Sequence, residues 1–113
     1  MSTIVLAADA DPARVLDQVR ATFESRDHLW QPHDERHATA SEGGRPVHEV
    51  TTSQRLRISV TLYPDEHRVD LTNETVGAAY AAGGGPLVSL LLAARFRSIV
   101  RAVTRDLDAA GLR

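Results

Sequence analysis

Hydrophobic and polar positions alternate most strictly in residues 55–63. Every second position there is apolar, and polar residues or Tyr63 occupy the positions between; the apolar residues are Leu56, Ile58, Val60 and Leu62. A period of two residues is typical of a β-strand with one buried and one solvated face. Residues 67–76 repeat the pattern after a polar turn at 64–66, with Val69 and Leu71 on the buried side. We therefore predict an antiparallel hairpin.

The C-terminal part of the chain has the period of a helix. Its apolar side chains recur at spacings of three and four residues; they are Leu92, Phe96, Ile99, Val100, Val103 and Leu107. Pro86 suits a first helical turn, and Gly111 suits the position after the last turn. Residues 78–85 form a small-residue linker before this helix. The pattern predicts a long final helix over residues 86–108 that lies with its apolar face on the sheet.

The N-terminal part predicts a strand followed by a helix. Residues 3–7 are a short β-branched run, and Asp11 and Pro12 are a favourable N-cap and first helical residue. One helical face then extends to about residue 26; its apolar members are Val15, Leu16, Val19 and Phe23. We predict a loop over residues 27–34, from which Leu29 and Trp30 reach back to the core.

Two weaker strands complete the prediction. Residues 33–41 and 47–52 are the candidates, and Gly43 and Gly44 form a turn between them. The predicted fold is one α+β domain over residues 1–113. An antiparallel sheet of four to five strands is covered by the long C-terminal helix.

Composition narrows the classes of function. The net charge is −2, which predicts no general attraction to nucleic acid or to an anionic membrane. Cysteine is absent, which excludes disulfides, thiolate metal sites and cysteine nucleophiles. No apolar run has the length of a signal peptide core or a membrane span. We expect a cytoplasmic protein.

The densest polar cluster is residues 33–37, His-Asp-Glu-Arg-His. Two histidines four residues apart resemble a zinc motif, but a third ligand would have to come from His48 or His67. A solvated loop or edge strand explains the cluster without metal, so we predict no metal and no cofactor. Ser89 and Ser98 lack the context of a nucleophile, and no catalytic residue is assigned.

Three arginines recur at intervals of four residues along the final helix: Arg97, Arg101 and Arg105. Like charges at this spacing repel one another by a few tenths of a kcal/mol per pair. They form either a solvated face with salt bridges to Asp106, Asp108 or other acids, or a surface that binds a phosphate or an acidic partner. They are the candidate partner-binding residues.

Both ends of the chain resemble a known superfamily. Residues 3–7 with 10–16, and residues 84–87 with the helix that follows, resemble the opening and closing segments of the START-like, polyketide-cyclase superfamily of helix-grip proteins. The resemblance implies a helix-grip-like fold in which a small molecule lies between the sheet and the final helix. The middle of the chain has room for about four strands where that superfamily usually has six. No family catalytic residue is carried over.

Three classes of function follow. The first is a non-catalytic domain that binds a small apolar molecule between sheet and final helix, with Trp30, Tyr80 and Phe96 as candidate ligand-binding residues. The second is a protein-interaction module of the immunity, antitoxin or adaptor type, with a filled core. The third is a cyclase-type enzyme that uses His48 or another inward-facing polar group as acid or base. A homodimer is compatible with the first two classes, and we favour a binding protein over an enzyme.

Overall fold

The computed structural model of the chain describes residues 1–45, 55–74 and 85–113, the last range with side chains from Leu90 onward. In chain order its helices and strands are β1 (Ser2–Val5), α1 (Pro12–Ser25), β2 (His28–Pro32), β3 (His37–Glu42), β4 (Arg57–Tyr63), β5 (Arg68–Asn73) and α2 (Gly85–Ala109). A 3₁₀ turn, Pro64–Glu66, connects β4 to β5. The predicted α+β class and the long C-terminal helix are confirmed. The predicted strand at 47–52 lies outside the described residues.

The five strands form one antiparallel sheet in the order β1-β5-β4-β3-β2. The first strand therefore lies beside the last one, and β2 forms the opposite edge. Val60 of β4 lies opposite Ala38 of β3 and Leu71 of β5. Because opposed residues in neighbouring strands share a face, this register extends the apolar side of β4 across the sheet.

Both helices pack on the apolar face of the sheet and share one core with it. α1 contributes Val15, Val19 and Phe23, all fully buried. α2 contributes five of the six apolar residues that its period predicts, together with Ala102; they are Leu92, Phe96, Ile99, Val103 and Leu107. The sixth, Val100, is partly buried against the core. The sequence pattern assigned the covering role to the final helix, and the structure adds α1 to it. The other face of the sheet carries the polar side chains.

The start of α1 follows the predicted capping. The Asp11 carboxylate accepts a hydrogen bond from the backbone N–H of Ala13 at 3.1 Å, and Pro12 occupies the first turn. At the other end, Asp27 adopts a left-handed backbone with φ of 63° and turns the chain directly into β2. A left-handed Asp costs little because its short polar side chain tolerates this region.

The predicted loop over residues 27–34 is wrong, because His28–Pro32 forms the edge strand β2. Trp30 pairs with Ala40 of β3, so that His28 and Trp30 point to the core. The alternation of inward and outward residues in β2 is not recognisable in the sequence, because the inward-facing His28 is polar. Pairing with β3 and burial of Trp30 override the weak local preference. The predicted strand at 33–41 is correspondingly shorter, since β3 begins at His37 and residues 33–36 form a turn.

Two neighbouring leucines of α2 test this packing. Leu92 is fully buried, whereas the side chain of Leu91 is exposed. We expect Leu92→Ala to lower the free energy of unfolding by about 2–5 kcal/mol, because it leaves a cavity in the core. Leu91→Ala is the matched control and should change it by less than about 0.5 kcal/mol. Chemical denaturation measures both, and equal losses in the two variants would contradict the orientation of α2.

Candidate functional site

Two of the three candidate ligand-binding residues are core residues. Trp30 and Phe96 keep only 8% and 7% of their surface exposed and belong to the same buried cluster. Trp30 lies against Phe23, with the ring centroids 6.0 Å apart. Tyr80, the third candidate, lies outside the described residues, as does His48. The structure therefore joins Trp30 and Phe96 in one core.

A small cleft separates α2 from the sheet beside the ends of β2 and β3. Its volume is about 170 Å³, below the 300–1,000 Å³ of most small-molecule sites. It is lined by Arg26, His28, Glu42, Leu56, Arg95, Ser98 and Ile99. The guanidinium of Arg95 pairs with the carboxylate of Glu42 across the cleft, which fastens α2 to β3.

His28 is the buried polar group of this cleft. Its Nδ1 lies 2.9 Å from the carbonyl oxygen of Arg26, so Nδ1 carries the proton and donates it. Nε2 is then an acceptor, and it is buried without a hydrogen-bond partner among the described residues. Burial lowers the pKa of His28, although the hydrogen bond to Arg26 and the charge of Glu42 oppose this shift. His28 is therefore held neutral.

The three candidate partner-binding arginines lie on one exposed stripe of α2, opposite its buried side. Arg105 approaches Asp106 at 3.7 Å, and Asp108 pairs instead with Arg113. Arg97 and Arg101 make no ion pair with a residue that the structure describes. The sequence offers salt bridges to Asp106 and Asp108 as one explanation for the three arginines. Within the described part of the chain, only Arg105 makes such a contact.

The same stripe begins with exposed leucines. Leu90 and Leu91 keep 64% and 54% of their surface exposed, and Ala94 is also exposed. Together with the arginines they follow the helical spacing along the solvent side of α2. We call this set the α2 surface; its members are Leu90, Leu91, Ala94, Arg97, Arg101 and Arg105. It is apolar at its start and cationic along the rest of its length.

A groove of about 600 Å³ lies at the opposite end of the sheet, beside the start of α1. Four segments form it: the first turns of α1, the β2–β3 turn, the end of β4 and the 3₁₀ turn. We call it the α1 groove; its lining residues are Asp11, Pro12, Ala13, Leu16, Asp17, Glu35, Arg36, Leu62 and Pro64. Its lining is largely apolar.

The β2–β3 turn, which forms one wall of the α1 groove, is held in place by its own hydrogen bonds. The Asp34 carboxylate accepts the N–H groups of Arg36 and His37 at 2.7 and 2.8 Å. The hydrogen bond from Arg36 is the main cause that lowers the pKa of Asp34. The backbone N–H of Leu62 donates to the carbonyl of Arg36 at 2.8 Å, which ties the turn to β4.

Acidic side chains dominate the rim of the α1 groove. Asp11 is engaged in the cap of α1, whereas Asp17 and Glu35 are exposed and have no ion pair within the described part of the chain. Arg36 is the cation that lines the groove. The rim carries more negative than positive charge.

The histidine cluster at residues 33–37 closes the β2–β3 turn. Nε2 of His33 lies 2.6 Å from the hydroxyl of Thr39, and Nδ1 of His37 lies 3.0 Å from the Asp34 carboxylate. Within residues 1–45, 55–74 and 85–113, no group of three or more histidine or acidic side chains has a geometry suited to a metal ion. The sequence signal for this turn is Asp34, because aspartate at the start of a turn accepts the following N–H groups.

Comparisons with protein-family models, with curated proteins and with solved structures find no match to this chain. The described helices include none with the length and apolar character that a bilayer crossing requires. The resemblance to the START-like superfamily stays a prediction.

The α1 groove could not be recognised from the sequence. Its lining residues come from segments near positions 12, 35 and 63, which are separated by whole strands. The α2 surface has local signals in the sequence: Leu90 and Leu91 fall outside the apolar period of the helix, and the arginines recur at intervals of four residues.

The state of His28 predicts a dependence of stability on pH. Its pKa is lowered in the fold, so as pH falls through the ordinary pKa of histidine, about 6.5, the unfolded chain binds more protons at this residue than the folded chain does. The free energy of unfolding should therefore fall as pH drops below about 6.5, by at most about 1.4 kcal/mol per pH unit from this group. His28→Gln should remove that component. Denaturation curves for both proteins over this range measure it, and equal slopes would contradict a buried neutral His28.

Proposed function

We propose that this protein is a non-catalytic protein-interaction module that binds its partner through the α2 surface. The observation that carries the proposal is the continuity of the exposed Leu90 and Leu91 with Arg97 and Arg101, which have no ion pair in the described structure. The partner has acidic side chains beside an apolar contact.

The apolar part of the α2 surface supplies affinity. Two leucines side by side on a helix leave apolar area in water that a partner would cover, at roughly 25 cal/mol per Å² before the costs of association. Exposed apolar patches with a charged margin mark interaction sites in soluble proteins. Exposed leucines also favour a protein over a nucleic acid, because phosphate contacts gain nothing from apolar surface.

The cationic part of the α2 surface orients the partner and raises the rate of association. Arg97, Arg101 and Arg105 repel one another at their spacing, and carboxylates from a partner would relieve that repulsion. Arginine is enriched at interface hot spots because its planar fork binds carboxylates in two places. Charge complementarity of this kind mainly raises the association rate.

A second candidate function is the binding of a small molecule between the sheet and α2. The observation that favours it is the unpartnered Nε2 of His28 in the cleft beside Glu42. The cleft suits a small molecule that donates a hydrogen bond. Native mass spectrometry of protein purified from its own host tests this candidate, and a bound mass that disappears in His28→Phe would support it.

Site-specific photo-crosslinking tests the interaction module. With p-benzoylphenylalanine in place of Leu91, we expect a discrete protein adduct in cells, because this position lies within the α2 surface. The adduct should weaken at least several-fold in Arg97→Glu/Arg101→Glu, since the cationic part of the contact is reversed.

The matched control carries the crosslinker at Tyr63, which is 39% exposed on the opposite face of the sheet. It should give no adduct of the same mass. If both positions gave the same adducts, or if the charge reversal left the Leu91 adduct unchanged, the α2 surface would not be the binding surface.

A further inference from the structure

We infer that the partner of the α2 surface is the α1 groove of a second copy of this chain, in a head-to-tail contact. This inference rests on the proposed function and names the occupant of its binding surface. It assigns a role to two surfaces that the described fold leaves open, one at the start of α1 and one on the solvent side of α2.

The two surfaces are complementary in their apolar parts. The α1 groove has an apolar floor that includes Leu16, Leu62 and Pro64. Its volume of about 600 Å³ is that of a site for a drug-sized molecule, so it takes several side chains. Leu90 and Leu91 project from one turn of α2, and both are exposed and of a size that fits such a groove.

The charges are complementary as well. Asp17 and Glu35 stand on the rim of the groove, and Arg97 and Arg101 follow the leucines on α2. None of these four makes an ion pair with a described residue of its own chain. Contact between two copies would pair the acidic side chains of one copy with the arginines of the other. No salt bridge within the described part of the chain would have to break for these pairs to form. The contact is therefore specific in orientation.

The contact must form between chains. Leu90 and Leu91 are exposed in the folded chain, so its own groove does not cover them. The contact joins two different patches, so each copy keeps one free patch after pairing. Such a heterologous contact either closes into a ring or grows into a chain of copies.

Both surfaces are preformed, which lowers the entropic cost of the contact. α2 is a 25-residue helix fastened to the sheet, and the groove wall is tied to β4 through the hydrogen bond from Leu62 to Arg36. Little side-chain or loop ordering is needed when the copies meet.

A complementation experiment tests this inference. One variant, Arg97→Glu/Arg101→Glu, keeps the groove and loses the cationic part of the α2 surface. The other, Asp17→Arg/Glu35→Arg, keeps the α2 surface and loses the acidic rim. In sedimentation velocity at low salt, the wild type should exceed its chain mass of 12.3 kDa increasingly with concentration. Each variant alone should stay at the monomer mass.

The mixture of the two variants gives the decisive result. In the mixture, the acidic groove rim of the first variant meets the arginines on the α2 surface of the second. The two reversed surfaces also carry opposite charges, so the mixture should recover association beyond the monomer mass. Arg20→Glu/Arg113→Glu changes the net charge by the same amount as Arg97→Glu/Arg101→Glu, at exposed positions outside both surfaces, and should associate like the wild type. Far-ultraviolet circular dichroism confirms that each variant is folded.

A monomeric wild type at all concentrations would overturn the inference, and a Leu91 adduct with a different protein would then leave the proposed function standing. A mixture that stays monomeric would also overturn it. A small molecule found on the wild type by native mass spectrometry and lost in the groove variant would assign the groove to that molecule instead. If neither association nor any Leu91 adduct occurred, the proposed function would fall as well.

Discussion

The whole structure depends on the burial of one apolar sheet face beneath two helices. The strict alternation of Ile58, Val60 and Leu62 places the apolar side chains of β4 on one face. The register with β3 and β5 extends this apolar face across the sheet. Burial at roughly 25 cal/mol per Å² then fixes how α2 is rotated about its axis. That rotation decides which side chains remain outside, and it places Leu90 and Leu91 in solvent with the arginines.

The two proposed binding surfaces are consequences of this packing. The solvent side of α2 stays open because its buried side is already satisfied by the sheet and α1. The α1 groove exists because α1 begins beyond the end of β4, where the β2–β3 turn and Pro64 leave a gap that no described side chain fills. Binding at these two surfaces requires no opening of the described core. The proposed binding is therefore a contact between surfaces that the described fold already presents.

Local patterns predicted the elements that depend on local physics. The alternation of β4, the Asp11–Pro12 start of α1 and the apolar period of α2 all appear in the structure as the sequence indicates. β2 was missed because its inward residues include the polar His28, and its stability comes from pairing with β3. The cleft around His28 and the α1 groove join segments that are distant along the chain. Their geometry depends on tertiary packing, which a single sequence does not display.

Hydroxyl-radical footprinting over a range of protein concentrations tests the account most directly, because it reads side-chain exposure on both sides of α2 at once. At low concentration Leu90 and Leu91 should be labelled and the buried Leu92 should not. At high concentration the labelling of Leu90, Leu91 and the groove residue Leu16 should fall together, while that of Tyr63 stays constant. Labelling of Leu92 equal to that of Leu91, or leucines of α2 unaffected by concentration, would contradict the account.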